Sequence, residues 1–386
     1  MAATKDGKEN LRQGQAVRLA VSGVGLVGKR HVEAMTHVPG VELAAVVDPS
    51  PDAPDYAASV GVPCYTDLTE MIAAEKPDGI LLATPTRLHI EQGLQCIAAG
   101  IPVLIEKPIA DDPDDARRLV QQAERAGVPV LVGHHRRHNP LIRQAKAMIE
   151  AGQIGEVRAV HGTCWFYKPD DYYDTAPWRK RLGAGPVSVN LVHDIDLIRY
   201  LCGEVVSVQA QATRSKRGFE NEDVAAAVLR FDNDAIGTVT VSDSIVAPWS
   251  WEMTSKEYPI YPVTTQSSYM IGGSHGSLSV PDLTLWTHAG ARDWWAPISA
   301  TSAPRGASDP LVNQIEHFRE VIQGRKAPLV SGLEGLRTLE VIDAIQRAAR
   351  TGETVHLSSV SDNHPAKASA LAHSNDHSQA QNRVTP

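Results

Sequence analysis

Only four cysteines occur in 386 residues, and Cys64, Cys96, Cys164 and Cys202 show no CxxC spacing. That pattern gives no basis for a disulfide framework or a thiolate zinc site, and predicts free thiols in a reducing cytoplasm. No run approaches the ~20 apolar residues that a membrane span needs. An excess of positive charge is also missing: charged residues make up 21% and the net charge is −8. No attraction to nucleic acid or anionic lipid is therefore expected. The opening MAATKDGKEN has no apolar signal core, so export is not expected and the predicted compartment is the cytoplasm. Residues 1–15 and 359–386 are polar or small and lack a pattern that could bury a core, so both are predicted to be disordered tails. The histidines of the second tail, His364, His373 and His377, are too irregularly spaced to suggest a metal site. What remains is long enough for two domains with separate cores.

The first half has the alternation of a nucleotide-binding fold. AVRLAVS (Ala16–Ser22) reads as a buried strand and meets Gly23-Val24-Gly25-Leu26-Val27-Gly28, a GxGxxG, before the helical KRHVEAMTHV. In that strand–turn–helix context Gly23 allows the tight turn and Gly25 leaves room for a pyrophosphate. Gly28 lets helix and strand approach, and the helix N-terminus offers N–H donors. The next strand, VELAAVVD, ends in Asp48, twenty residues past Gly28. A carboxylate there can accept from both ribose hydroxyls of NAD and repels the extra phosphate of NADP, so NAD is expected without excluding NADP.

GILLAT, VLI (Val103–Ile105) and VPVLVG continue as strands between helices that end at Gly100 and Gly127. The result is a doubly wound parallel sheet over residues 16–139. Ligands in such sheets bind beyond the carboxyl ends of the strands. Asp48, Thr84-Pro85-Thr86, Glu106-Lys107-Pro108 and His134-His135-Arg136-Arg137 all follow strands, so they should crowd one crevice. A glutamate–lysine pair at a strand end is often only a solvated ion pair, but that reading does not explain why it shares an edge with a cofactor.

From residue 140 to 358 the pattern changes. VRAVHGT, VVSVQAQATR, DVAAAVLRF, AIGTVTVSD and GSLSV are alternating or β-branched. They predict a large, mostly antiparallel open sheet in an α+β domain. Two helices, LVNQIEHFREVIQG and GLEGLRTLEVIDAIQRAARTG, close it. NLVHDIDLIRYLCG (Asn190–Gly203) reads as a helix whose apolar stripe is Leu191, Ile195, Ile198 and Cys202, with His193 and Asp194 off that stripe. Histidine is the side chain best suited to exchange protons near neutral pH. The stretch Thr163–Pro186 carries Trp165, Tyr167, Tyr172, Tyr173 and Trp178 with Arg179, Lys180 and Arg181. It is either a surface-packing loop or a binding surface for a flat polar or carboxylated ring. The aromatics from Tyr258 to Tyr269 and Trp294-Trp295 suit a lid or an oligomer contact. His134, His135 and His138 have no Cys or Glu to complete a metal set, and no metal is expected.

SGVGLVG, ATPTRLH (Ala83–His89), EKP (Glu106–Pro108), GHHRRHNP (Gly133–Pro140) and VNLVHDIDLIRYL (Val189–Leu201), in this order, resemble the Gfo/Idh/MocA oxidoreductases, the glucose–fructose oxidoreductase and inositol dehydrogenase family. The likeness covers residues 16–358. It implies a catalytic Lys107 beside the nicotinamide after a cis Lys–Pro bond, and a catalytic His193 facing the same ring. It implies cofactor contacts from Gly23, Gly25, Leu26, Val27, Gly28, Asp48, Thr84, Pro85, Thr86, His89, Glu106 and Lys107. Expected substrate contacts are Asn190, Asp194, Trp178, Arg179 and His135. It further implies a homodimer or homotetramer through the open sheet. One departure stands out: many sugar and cyclitol members carry Asp four residues before the histidine, where this chain has Val189, and Asn190 is the nearest polar group.

The expected activity is NAD-dependent oxidation of a secondary alcohol on a cyclic polyhydroxylated substrate, a cyclitol or sugar, with His193 as base and Lys107 on the same oxygen. A carboxylated aromatic cis-dihydrodiol is the alternative substrate. A non-enzymatic ligand sensor and an NAD-dependent redox glycosidase are the further alternatives.

Overall fold

The structure, a computed structural model, describes residues 15–357. The expectations for residues 1–14 and 359–386 lie outside the described residues. Six apolar runs form the first sheet: β1 (Val17–Ser22), β2 (Val41–Val47), β3 (Cys64–Tyr65), β4 (Gly79–Leu82), β5 (Val103–Ile105) and β6 (Val130–Val132). All pair in parallel, in the order β3-β2-β1-β4-β5-β6. Helices α1 (Leu26–Thr36), α2 (Ala53–Ser59), α3 (Leu68–Glu75), α4 (His89–Ala98) and α5 (Pro113–Ala126) connect them. Local chemistry sets the helix ends. In α5 the Asp112 carboxylate accepts from the Asp114 N–H, Pro113 opens the first turn and Gly127 closes it at φ +65. Strand order reverses between β1 and β4, so their carboxyl ends flank a crevice, the usual ligand position in this architecture.

Helix α6 (Pro140–Glu150) leads to the second domain. Its sheet holds β7 (Val157–Trp165), β8 (Val205–Arg214), β9 (Glu222–Phe231), β10 (Ile236–Ser242), β11 (Tyr269–Gly273), β12 (Gly276–Val280), β13 (Thr284–His288), β14 (Ile298–Ser302) and β15 (Val355–His356). The spatial order is β14-β13-β12-β11-β7-β10-β9-β8-β15, antiparallel except where β7 meets β10. One face, with Val160, Leu229, Val239, Ile271 and Leu278, packs in a single core with α6, α8 (Val192–Cys202) and α11 (Gly332–Thr351). The other face is open and presents Val228, Ile236, Met270, Trp286 and Ile298.

Two findings differ from the sequence reading. The chain does not stay in the second domain after residue 140. Helix α10 (Pro310–Ile322) returns and puts Ile315, Phe318 and Val321 into the core that holds Leu19, Leu81 and Leu104. Helix α11 then spans the seam, giving Leu336 and Leu339 to the first domain and Ile342 and Ile345 to the second. Helical periodicity says which face is apolar but not which sheet that face will cover. The second difference is α8, where burial is not confined to the expected apolar stripe: His193, Asp194, Asp196 and Arg199 are buried along with it.

Buried charges on α8 need partners: the 134–139 loop after β6 supplies them for the two aspartates, and Glu204 with Glu334 for Arg199. Arg137 places Nε 2.9 Å and Nη2 2.7 Å from the two Asp196 oxygens, and Nη2 2.9 Å from Glu334 on α11. This pair clamps the end of the first sheet to two helices of the second domain. Asp196→Ala would leave Arg137 buried with its best partner gone. The expected loss is about 3–5 kcal/mol in a urea titration, and a loss below about 1 kcal/mol would contradict this anchoring role.

Candidate active site

The glycine turn is built as a cradle. Gly23 sits at φ +88, and a Cβ there would lie 2.6 Å from the Ala83 carbonyl oxygen. A Cβ on Gly28 would strike the Gly23 carbonyl, so the third glycine protects the turn itself. Gly25 has open space where its Cβ would be, in front of the first turn of α1, where Leu26 and Val27 are exposed. Open space ahead of free helix N–H groups fits a pyrophosphate. Asp48 stands beside the turn: Oδ2 accepts from the Val24 N–H at 2.8 Å and Oδ1 from the Ser50 N–H at 2.8 Å. Burial raises its pKa, but these donors outweigh that and hold it below the ordinary value. The carboxylate is thus ionised beside the cradle, with lone pairs left for ribose hydroxyls.

The corner after β5 carries the next residues. Glu106 is buried, and its Oε1 lies 2.6 Å from His31 Nε2 on α1. Its Oε2 accepts the Lys107 N–H at 3.1 Å. Burial would raise the Glu106 pKa, but His31, His135 and Lys107 bring it down to about 2. The Lys107–Pro108 bond is cis. His89 places one ring nitrogen 2.9 Å from the Pro108 carbonyl and the other 2.8 Å from the Thr84 carbonyl. It is a strut between the ends of β4 and β5, sealed at 1% exposure, not a surface for cofactor. Thr84 donates to Gln92 on α4 at 2.8 Å, while Pro85 and Thr86 keep surface at the crevice rim.

Lys107 points across the crevice to the second domain, with Nζ 3.4 Å from the Val189 carbonyl. Burial first, then the Arg136 and Lys168 charges, lower its pKa to about 8 against the pull of Glu106 and Glu252. His193, one residue into α8, meets His135 edge-on at 5.6 Å and His134 at 6.2 Å. Burial and the neighbouring Lys107, Arg136, His135 and His134 push its pKa well below the ordinary value. The imidazole is therefore neutral near pH 7, with Nδ1 buried and unpartnered and Nε2 making no hydrogen bond among the described residues. A neutral imidazole opposite an ammonium of lowered pKa is an arrangement that can take a proton from a hydroxyl and stabilise the oxygen left behind.

The other expected substrate residues divide. Asn190 belongs to the site. It lies in a π-turn, Val187–Leu191, that widens the chain just before α8, and its Oδ1 accepts from Lys168 Nζ at 2.7 Å. His135 belongs too, half-buried, with Nε2 3.0 Å from Glu257. Asp194 does not line the crevice. It is 1% exposed and bonded to the Tyr269 hydroxyl, with Arg136 Nη1 at 3.5 Å, so it supports the site from behind. Burial pushes its pKa up to about 6. Arg179 stacks on Tyr172 at 3.9 Å and donates to the Tyr172 carbonyl. Trp178 is 57% exposed, and no hydrogen bond joins either residue to Lys107 or His193. The Thr163–Pro186 segment is held instead to the second domain, where the buried Tyr173 hydroxyl donates to Asp243 at 2.7 Å. Of the later aromatics, Tyr258 lies over Arg30 of α1 at 5.7 Å, and Trp294 and Trp295 stand exposed on the hairpin between β13 and β14.

Sequence reasoning missed Lys168 and His31 as parts of this site, and it placed Arg136 at the crevice without its partner, Glu252. Lys168 had one signal, a lone cation between aromatic residues just past the end of a strand. His31 had another, a polar residue on the buried side of α1.

Comparisons with known proteins follow the same division. The model described as "Oxidoreductase family, NAD-binding Rossmann fold" matches residues 17–134, and "GFO/IDH/MocA C-terminal domain" matches residues 142–279. D-apiose dehydrogenase of Paraburkholderia graminis is 28% identical over 90% of this chain and 91% of its own. The scyllo-inositol 2-dehydrogenase (NAD(+)) of Bacillus subtilis is 26% identical over 88% of this chain and 96% of its own. Among solved structures, the WlbA dehydrogenase from Bordetella pertussis, in complex with NADH and UDP-GlcNAcA, is 26% identical. It superposes with a TM-score of 0.72 over 89% of this chain and 100% of its own.

Three outcomes test the geometry. Gly25→Ala should weaken NAD binding by about tenfold or more in calorimetry while leaving the melting temperature unchanged, since the new methyl meets only the space kept for the ligand. Gly28→Ala should lower the melting temperature itself. Lys107 should titrate near pH 8 in 13C-methyl-lysine NMR, as a signal absent from Lys107→Arg. The unfolded chain holds that proton to its ordinary 10.5, so between the two values the native state binds fewer protons. Lys107 then adds stability as pH rises through that window, and a resonance moving only near 10.5 would refute the lowered value.

Proposed function

We propose, for a chain that belongs to the Gfo/Idh/MocA oxidoreductase family, that it oxidises a secondary alcohol of a polyhydroxylated substrate with Lys107 and His193 as its catalytic pair. The protein is an NAD-dependent oxidoreductase acting on CH–OH groups. The observation that carries the catalytic assignment is the pairing of a neutral, buried His193 with Lys107 across the seam where the two domains meet. NAD+ held at the Gly23–Gly25–Gly28 cradle and Asp48 would supply the acceptor for the carbinol hydride. His193 accepts the hydroxyl proton as the C=O bond forms. Lys107 donates a hydrogen bond to that oxygen and stabilises the charge developing on it. Glu106 and His31 keep the Lys107 backbone in place, and His135 and His134 exclude water around the base.

The relatives named for apiose and scyllo-inositol support a sugar or cyclitol as the substrate class. The open face carrying Val228, Ile236, Met270, Trp286 and Ile298 supports self-association through the second sheet. Among the described residues no helix is long and apolar enough to cross a membrane.

A panel of cyclitols, aldoses, sugar acids and cis-dihydrodiols, followed by absorbance of reduced nicotinamide, tests the reading. His193→Ala should lower kcat by roughly 10²–10⁴ with NAD affinity retained, the usual range for loss of a general base. Lys107→Ala should abolish net reduction. Full activity in either variant would remove that residue from the catalytic pair. A tightly held cofactor with no net reduction on any alcohol would point to redox-cycling glycosidase chemistry.

A further inference from the structure

Asn190 and Lys168 give the crevice a polarity that selects among substrates. Lys168 follows β7 and is 7% exposed. An ammonium can only donate, so the Asn190 atom 2.7 Å from it is the carbonyl oxygen, and the amide NH2 faces the other way. That Nδ2 has no hydrogen-bond partner among the described residues and is not sealed within the protein. The second donor is Lys107 Nζ, near the carbonyl of the adjoining residue, Val189.

The neighbouring acids are already engaged. Glu106 accepts from the Lys107 N–H and faces His31, and Asp194 is bonded to Tyr269. Asp243 accepts from Tyr173 and Arg217, Glu252 from Arg136, and Glu257 faces His135. The two oxygens among them that lack partners, Asp194 Oδ2 and Glu252 Oε2, are shut off from solvent. A neutral polyol offers hydroxyls that want acceptors as well as donors. Apart from the His193 imidazole that takes the reacting hydroxyl's proton, this crevice offers donors, and the ammonium behind the Asn190 carbonyl polarises its amide further.

We propose that the substrate carries a carboxylate near the carbinol that is oxidised, accepted by Asn190 Nδ2 with Lys168 behind it. The class is a polyhydroxylated acid, aldonic or uronic in type. Asn190 lies three residues before His193, in the chain segment that delivers the base to the crevice. The oxidation is otherwise unchanged: the C–H bond breaks with both its electrons leaving as hydride to NAD+, the hydroxyl proton goes to His193, and an oxo acid is released. Lys168 is a positioning residue in this scheme. The inference rests on the dehydrogenase reading.

The test is binding, so that it does not depend on turnover. Quenching of NADH fluorescence in the loaded enzyme would compare D-gluconate with D-glucitol and L-tartrate with L-threitol, and D-glucitol 6-phosphate would report on phosphate. The acid of at least one pair should bind about tenfold tighter than its neutral partner, the size of one charge-assisted hydrogen bond. Lys168→Met should lose that preference while NADH affinity stays near wild type. If Lys168→Met fails to fold, Asn190→Asp provides the second arm: an acceptor in place of the donor should reverse the preference toward glucitol or threitol. Equal binding, no binding of either acid, a preference for the phosphate alone, or a preference that survives both variants would overturn the proposal. The dehydrogenase reading fails separately, by absence of NADH binding or of any alcohol-dependent reduction.

Discussion

The contact between His31 and Glu106 is the constraint on which the rest of the site depends. It joins the helix that starts at the glycine cradle to the corner that presents Lys107, and it is sealed from solvent. Removing either partner would leave a polar group buried without compensation, a change that costs several kcal/mol in comparable pairs. The surrounding chain is shaped to it. Gly133 has no side chain because the Glu106 carboxylate occupies the place where a Cβ would go. The His31–Glu106 contact thus ties the cofactor cradle to the corner that presents the reacting lysine, as catalytic positioning requires.

The second domain is fixed to this frame by charge more than by apolar packing alone. Arg136 reaches Glu252 at 2.5 Å and Arg137 reaches Asp196 at 2.7 Å, both from the short loop after β6. Glu257 gathers His135, Asn139 and the Trp251 indole onto one carboxylate. Such buried pairs add less stability than hydrophobic side chains of the same volume would, but they are directional. Directionality is what a crevice between two domains needs, since His193 must face Lys107 from the opposite wall.

The π-turn before α8 resolves the chain's main departure from the sugar and cyclitol pattern. With Val189 where an aspartate is common, no acid is supplied at that step of the helix. The widened turn delivers the Val189 carbonyl to Lys107 and the Asn190 side chain to Lys168. The backbone supplies the acceptor for Lys107, and the side chain that follows is a donor toward the crevice.

Much of this protein was legible in its sequence because the determining interactions are local or periodic. GxGxxG works through three residues whose requirements are steric, and Asp48 follows from the strand that carries it. Alternating strands and helices can hardly avoid a parallel sheet whose loops converge at one edge, which is why Lys107 could be placed there. Tertiary structure alone decided the rest. Whether His89 or Asp194 lines a crevice or braces it depends on which distant carbonyl or guanidinium lies behind it, and no local pattern encodes that. The return of α10 to the first sheet and the partnership of His31, Lys168 and Arg136 with residues 75, 22 and 116 positions away have the same origin. Burial makes a polar group seek its partner wherever the fold brings one within reach, so sequence separation carries no information about the choice.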